Sequence, residues 1–386
     1  MNAAKLAAMA RTRDWLLIVV FAGLGYGDCI ERPPQGSATQ ALVQLRGRSD
    51  PIAEHRFMVD QLKRAVASNT AGSPGFLSWR AGPLNATNAQ QRLGEFETTR
   101  LRTKRNLAKP AFGQAYASTY INSVADEHIR ACEVLNAAVV KTELQRGQRD
   151  VVNFPPGSIA VKAIWRLVPP AGVRLGLWRK SAGDARAASR FPLAFAESEW
   201  GNSVVVMPSG ANRVSPSAPM IKPGSVITTD SFFSLQVTPQ QASTIRGEDG
   251  SHPPQDSLMI LVGLHVASKD TPDWLWATYW WSDQPTMSEL PAPWNHFASE
   301  MALSMLKSNA AALRVFNPYL EVGTDGGLWT NCMTCHVAAG YCANVPVPRK
   351  NGDSITFAGA QSRLRTDYLW SVGRTLIRED ARCKSQ

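Results

Sequence analysis

Cys332-Met333-Thr334-Cys335-His336 places two thiols three positions apart and an imidazole directly after the second. This is C-x-x-C-H, the spacing that attaches a c-type haem. Each thiol adds to one vinyl group of a single porphyrin, and the adjacent imidazole supplies the proximal ligand to the iron. A stray disulfide, half a zinc site or a thioredoxin-like redox pair would use the same residue types. A zinc site needs four ligands, and only His336 and Cys342 lie near the two thiols. A redox C-x-x-C opens a helix after a strand in a βαβ unit, and that pattern is absent here. One motif predicts one covalent haem c, anchored by Cys332 and Cys335 with His336 on the iron.

The second axial position is a separate question. Residues 337–386 contain no Met and no His, so a sixth ligand comes from earlier in the chain or the site is open. His265 is the first candidate distal ligand, because it lies inside the apolar run Leu258 to Ala267 and a polar ring there needs a partner. The competing reading is a core histidine satisfied by a hydrogen bond. Met301 and Met305 stand i, i+4 on an expected helix, where paired Met commonly packs a core. His128 and His296 rank below His265, and His55 and His252 read as surface positions. Lys162 shares a strand face with Ala160, Ile164, Arg166 and Val168. It is either an outward lysine beside Arg166 or a residue of the haem pocket.

Several elements must hold these groups. Pro51 after Asp50, with Ile52, Phe57, Met58, Leu62 and Val66, predicts a first helix. A second is expected through Ile121 to Val140, after a basic tract at Arg100, Arg102, Lys104 and Arg105 that reads as solvated surface. Beyond Val152 the pattern turns to strands. Ile159, Val161, Ala163, Trp165 and Leu167 alternate strictly. Runs follow at Val173–Trp178, Ser203–Met207, Ser225–Thr229, Phe232–Val237, Leu258–Ala267 and Trp274–Trp281, separated by turn residues. A helix is expected from Trp294 to Leu313, with the motif after it on a Gly-rich loop or short helix, and a further helix at Tyr368–Ile377. The fold class expected is α+β: an antiparallel sheet or sandwich core, N-terminal helices and a C-terminal haem-bearing segment. The organisation divides as a signal peptide over 1–27, a mainly helical region over 28–150, the β core over 151–290, and a helix plus haem segment over 291–386.

The signal assignment rests on Lys5, Arg11 and Arg13 ahead of the apolar run Trp15–Leu24, with Gly25 and Gly27 behind it. Haem c is attached outside the cytoplasm, so signal and motif agree on a periplasmic or otherwise exported protein. No other stretch is long and apolar enough to span a membrane. The formal charge of the chain is +10, and removing three basic residues and one acidic residue with the signal leaves +8. Such a surface steers toward an acidic redox partner or an anionic substrate, or is simply basic. Nothing in the chain resembles a nucleic-acid module. Cys29, Cys132, Cys342 and Cys383 remain besides the motif. In an oxidising compartment they allow up to two disulfides in three pairings, with Cys342–Cys383 favoured because both lie in the C-terminal segment.

Phe154-Pro155-Pro156-Gly157-Ser158-Ile159-Ala160-Val161-Lys162 resembles the F-P-x-G-s-x-x-x-K segment of the cytochrome P-460 and cytochrome c-prime-beta group. Cys332–His336 followed by Thr366-Asp367-Tyr368-Leu369-Trp370 resembles that group's late haem motif and closing D-Y-[VL]-aromatic segment. Gly263-Leu264-His265-Val266-Ala267-Ser268-Lys269 and Trp274–Trp281 resemble a larger set of exported bacterial cytochrome c proteins. The resemblance implies a mostly antiparallel β fold with one haem near the C-terminus, in a site that is often five-coordinate. Some members bind nitric oxide, and others oxidise hydroxylamine with a lysine crosslinked to the porphyrin. The resemblance does not assign that crosslinking lysine to a particular residue of this sequence.

Three functions follow as expectations. The first is a periplasmic monohaem cytochrome that passes single electrons to a redox partner protein. The second is a haem enzyme or gas-binding protein acting on a small nitrogen-oxide or hydroxylamine-like ligand at an open distal position. The third is an interaction protein of a larger redox complex, for which the Trp-rich strand would be a surface.

Overall fold

The computed structural model describes residues 51–67, 73–81, 97–98, 115–148, 150–151, 153–188, 195–210, 213–215, 221–245, 251–271, 274–302, 314–323, 326–332, 336, 339–341, 347–351, 354–358, 364–367 and 369. The signal segment, the basic tract, Met305, Cys29, Cys335, Cys342, Cys383 and the expected helix at Tyr368–Ile377, apart from Leu369, lie outside them.

The architecture is α+β around an antiparallel sheet. Strands in chain order are β1 (Arg80–Ala81), β2 (Glu97–Thr98), β3 (Ala115–Ile121), β4 (Ile159–Val168), β5 (Val173–Gly176), β6 (Ser203–Met207), β7 (Val226–Thr228), β8 (Ser234–Gln236), β9 (Leu258–Ser268), β10 (Leu275–Trp281), β11 (Phe297–Ala302), β12 (Gly340–Tyr341), β13 (Val347–Asn351), β14 (Ser354–Ala358) and β15 (Leu364–Arg365). Helices are α1 (Pro51–Val66), α2 (Ser123–Ala131), α3 (Ala137–Gln145), α4 (Lys180–Ala187) and α5 (Pro239–Thr244). The central sheet runs β1-β3-β4-β9-β10-β11, with β2 also on β3 and β8 also on β9. Strands β5, β6 and β7 form a smaller sheet, in which β6 and β7 are parallel.

The alternation read from β4 corresponds to a strand buried on both faces, and β9 and β10 are covered likewise. Every residue of β10 is buried. This corrects the reading of the Trp-rich strand as a docking surface: its indoles fill the interior. A bulge falls where Ile164 pairs with Gly263 but Trp165 pairs with Leu261. Arg166 is buried and paired with Glu197, so it does not stand outward beside Lys162.

Two helix expectations are corrected. Ala115–Ile121 is a strand, and the chain becomes helical only after Asn122, whose side chain caps Ala125 N–H. That helix and the next are separated at Cys132–Asn136 instead of running on to Val140. Trp294–His296 is a 3-10 turn, and Phe297–Ala302 is strand β11, paired along its length with β10. A free sheet edge and a row of apolar partners outweigh the helical spacing of those residues.

The buried side chains fall into two clusters. The larger joins α1, the central strands and the smaller sheet. The smaller holds Ile121, the α2–α3 pair, Phe154, Ala160, Ala267, Trp274, Trp276, Ala302, Val315, Cys332, Tyr341, Leu364 and Leu369. Cys332, the first residue of the C-x-x-C-H motif, belongs to this second core, and His336 packs against its Trp276.

Candidate functional site

The register of the sheet decides which residues share the motif's side. Directly paired residues in an antiparallel sheet point to the same face. Trp276 on β10 pairs with Ala302 and with Ala267, which pairs with Ala160 and through it with Ile121. One indole therefore stands in a row otherwise made of three alanines and an isoleucine. The small neighbours leave room above it, and His336 occupies that room: the two rings are 3.9 Å apart at 38°.

The chain reaches this position by crossing the same face. Asn317 is buried and donates from Nδ2 to Thr278 Oγ1 at 3.1 Å and Tyr279 O at 2.8 Å. Its approach depends on Gly263, where a Cβ would lie 2.8 Å from Asn317 Nδ2 and 2.9 Å from Ile164 Cδ1. Gly326 takes a left-handed conformation (φ 75°) to start the turn Gly327–Trp329, and Trp329 Nε1 donates to Ala187 O at 3.1 Å. Cys332 N–H then donates to Val315 O at 3.1 Å, and the buried Cys332 Sγ lies 3.4 Å from the same oxygen.

Beyond His336 the chain is fastened from several sides. Ala339 N–H donates to His336 O, and Thr366 N–H to Ala339 O, each at 3.0 Å. Strands β12 and β15 pair, and Val151 N–H donates to Arg365 O at 2.9 Å. Asp367 is buried, takes both its oxygens to Lys269 Nζ (2.8 and 2.9 Å), and accepts from Phe154 N–H at 2.8 Å. The Phe154 N–H of the F-P-P-G stretch and the buried Lys269 ammonium thus meet at one carboxylate, the Asp of the D-Y-L-W stretch.

A polar row lies one pleat along from Trp276. Glu300, Thr278, His265, Lys162 and Thr119 are paired in sequence across β11, β10, β9, β4 and β3. His265 Nε2 is 2.8 Å from Glu321 Oε1, yet the geometry is not that of a hydrogen bond and Nε2 has no such partner among the described residues. The other oxygen, Glu321 Oε2, accepts from Asn317 N–H at 2.6 Å. Burial raises the Glu300 carboxyl above its ordinary range, against the opposing pull of Lys180 and Arg314.

The remaining sequence candidates divide by face. Met301 pairs with Ala277, which points to the opposite side of the sheet from Trp276. His296 is buried on that opposite side as well, stacked on Trp281 at 6.0 Å. His55 and His252 are at the surface, bonded to Glu289 and to the Ala242 carbonyl. Among the described candidates on the sheet, only His265 and Lys162 share the face of Trp276.

Sequence reasoning passed over Trp274, Trp276 and Phe154 as site residues. Trp274 Nε1 and Trp276 Nε1 are buried without a hydrogen-bond partner among the described residues. Two unsatisfied donors beside one motif are a signal no periodicity carries. They fit the carboxylate-bearing edge of a haem, whose propionates would accept from them.

No family model, no curated protein and no solved structure matches this chain.

Proposed function

We propose that this chain is an exported monohaem c-type cytochrome that carries single electrons. Cys332 and Cys335 bind the porphyrin, and His336 is the proximal ligand. The observation that supports this most directly is the seat of His336: its ring rests on Trp276, beside two buried indole N–H groups that lack an acceptor. A histidine ligand held by packing keeps one ring orientation. The haem supplies a one-electron Fe(III)/Fe(II) couple; the chain supplies orientation, burial and exclusion of water. His265 is the distal ligand in this proposal, since it alone among the described imidazole and thioether candidates of the sheet shares that face; binding iron through Nε2 would displace the Glu321 carboxylate that lies 2.8 Å from it.

A second reading is ligand chemistry at an open distal position. The row Glu300–Thr278–His265–Lys162–Thr119 favours it, because titratable groups on the motif's face would hold and protonate a small nitrogen-oxide ligand.

The test begins with intact mass and acid–acetone extraction: one haem of added mass and colour that stays with the protein are expected, and Cys332→Ala should reduce retention. Non-reducing peptide mapping provides an independent check. Cys132 is disulfide-bonded, and a partner identified as Cys335 would overturn the haem assignment, since that sulfur cannot serve both bonds. Carbon monoxide then separates the two readings: an unaltered low-spin spectrum supports the electron carrier, and ready binding supports ligand chemistry.

A further inference from the structure

A series of rings leads away from His336 through the smaller core. His336 and Trp276 are 3.9 Å apart, Trp276 and Trp274 6.4 Å, Trp274 and Phe154 5.7 Å, and Phe154 and His128 4.7 Å. His128 is half-buried on α2, between the exposed residues Glu127 and Arg130. The series therefore begins at the motif's histidine and ends at the protein surface.

The middle ring is placed against the chain's own preferences. Trp274 has φ 59°, a left-handed conformation that is an outlier for a bulky side chain. An L-residue is held there only against a steric penalty. The side chain is completely buried, and its N–H makes no hydrogen bond among the described residues. What Trp274 contributes is its ring, set between Trp276 and Phe154 with Lys269 Nζ 5.4 Å from its centre. A leucine or phenylalanine would fill an apolar position there without burying an N–H. Strained backbone that persists in a well-determined surrounding points to use.

We propose that the rings of Trp276, Trp274, Phe154 and His128 form the route by which the haem iron exchanges single electrons with a redox protein bound over α2. The proposal rests on the haem reading above. In the oxidising direction ferrous iron gives one electron to the partner's acceptor and becomes ferric; no bond forms or breaks and no proton is required. The rings serve as a tunnelling bridge and are not themselves oxidised. Trp274 is a bridging residue: it touches neither the iron nor the partner.

The experiment uses the full haem-loaded protein carrying a ruthenium–bipyridine label on a single histidine. One labelled species carries it on Glu127→His, next to the end of the series; a second carries it on exposed His252. A flash with an external acceptor makes Ru(III), which takes one electron from the ferrous haem, and the rate is read from the haem absorbance. In the Glu127→His species, Trp274→Leu should slow transfer by about tenfold or more, while Trp274→Phe should restore most of the rate. The His252 species should be unaffected by either change, with reduction potential and spectrum unchanged. No slowing, or equal slowing from both labels, overturns the route. If Trp274→Leu does not yield folded haem protein, Phe154→Leu breaks the series at the next ring and is read in the same way. A colourless wild-type protein is a different failure: it removes the haem reading, and this proposal with it.

Discussion

The two apolar cores treat their tryptophans differently. In the larger, Trp165, Trp200, Trp281 and Trp329 donate their N–H groups to Ser118 Oγ, Phe195 O, Ser231 O and Ala187 O. In the smaller, Trp274 and Trp276 donate to nothing among the described residues. The backbone differs as well. Four described non-glycine residues have positive φ; Trp274, Asp367 and Glu133 belong to or border the smaller core, and Asp256 sits in the turn before β9. A buried, unsatisfied donor costs about 1–3 kcal/mol. The contrast is one of indoles, because the larger core has buried unsatisfied groups of its own, among them Arg166 Nε and His296 Nε2.

Each core also contains a buried ion pair, Arg166–Glu197 in the larger and Lys269–Asp367 at the smaller. Burial raises the Glu197 carboxyl above its ordinary range, opposed by Arg166 and the Gly176 N–H. The two pairs do different work. Arg166–Glu197 ties the central sheet to the turn under β5, whereas Lys269–Asp367 ties the chain beyond the motif back to the β9–β10 connection.

The largest expected effect tests that difference. Lys269→Met leaves the Asp367 carboxylate buried without its cation and should destabilise the protein by about 3–5 kcal/mol in denaturant titration. Lys269→Met with Asp367→Asn should recover much of that loss. A single variant as stable as the wild type would show that the pair does not fasten the segment.

A smaller effect compares one indole from each core. Trp165→Phe and Trp276→Phe remove similar volume, but only the first removes a buried hydrogen bond. Trp165→Phe should cost about 1–3 kcal/mol more than its lost volume explains. Trp276→Phe should cost less in stability and, on the proposed haem reading, shift the haem spectrum or lower haem retention. The reverse order would erase the contrast between the cores.

The smallest effect is a pH dependence at the larger core. Burial lowers the His296 pKa from its usual 6.5. Below 6.5 the unfolded chain therefore binds a proton that the folded protein does not, so stability falls as the pH drops through that range toward the lowered value. His296→Phe should remove that part of the acid sensitivity, measured as the difference in unfolding midpoint between neutral and mildly acidic buffer. Unchanged sensitivity would mean that His296 is already charged when folded.

Much of the framework was legible because it is local. Pro51 and the spacing behind it mark α1; alternation marks β4; continuous apolar runs mark β9 and β10. The misread stretches are those where a sheet edge overrode local preference. Ile121, at the expected start of a helix, instead ends strand β3, which is recruited by β4, and Phe297–Ala302 is recruited by β10. Met301 looked helical beside Met305, but its pairing with Ala277 puts it on the far side of the sheet from His336.

The sequence by itself determined the chemistry that Cys332, Cys335 and His336 can perform, because thiol spacing and a neighbouring imidazole are covalent facts of five consecutive residues. It also determined His265 as the polar residue of a buried strand. Only the tertiary structure decided that His336 lies on Trp276, that His265 faces Glu321, and that Trp274 closes a line of rings to His128. Those pairs are separated by tens to hundreds of residues, and strand register, which no local pattern encodes, brings them onto one face.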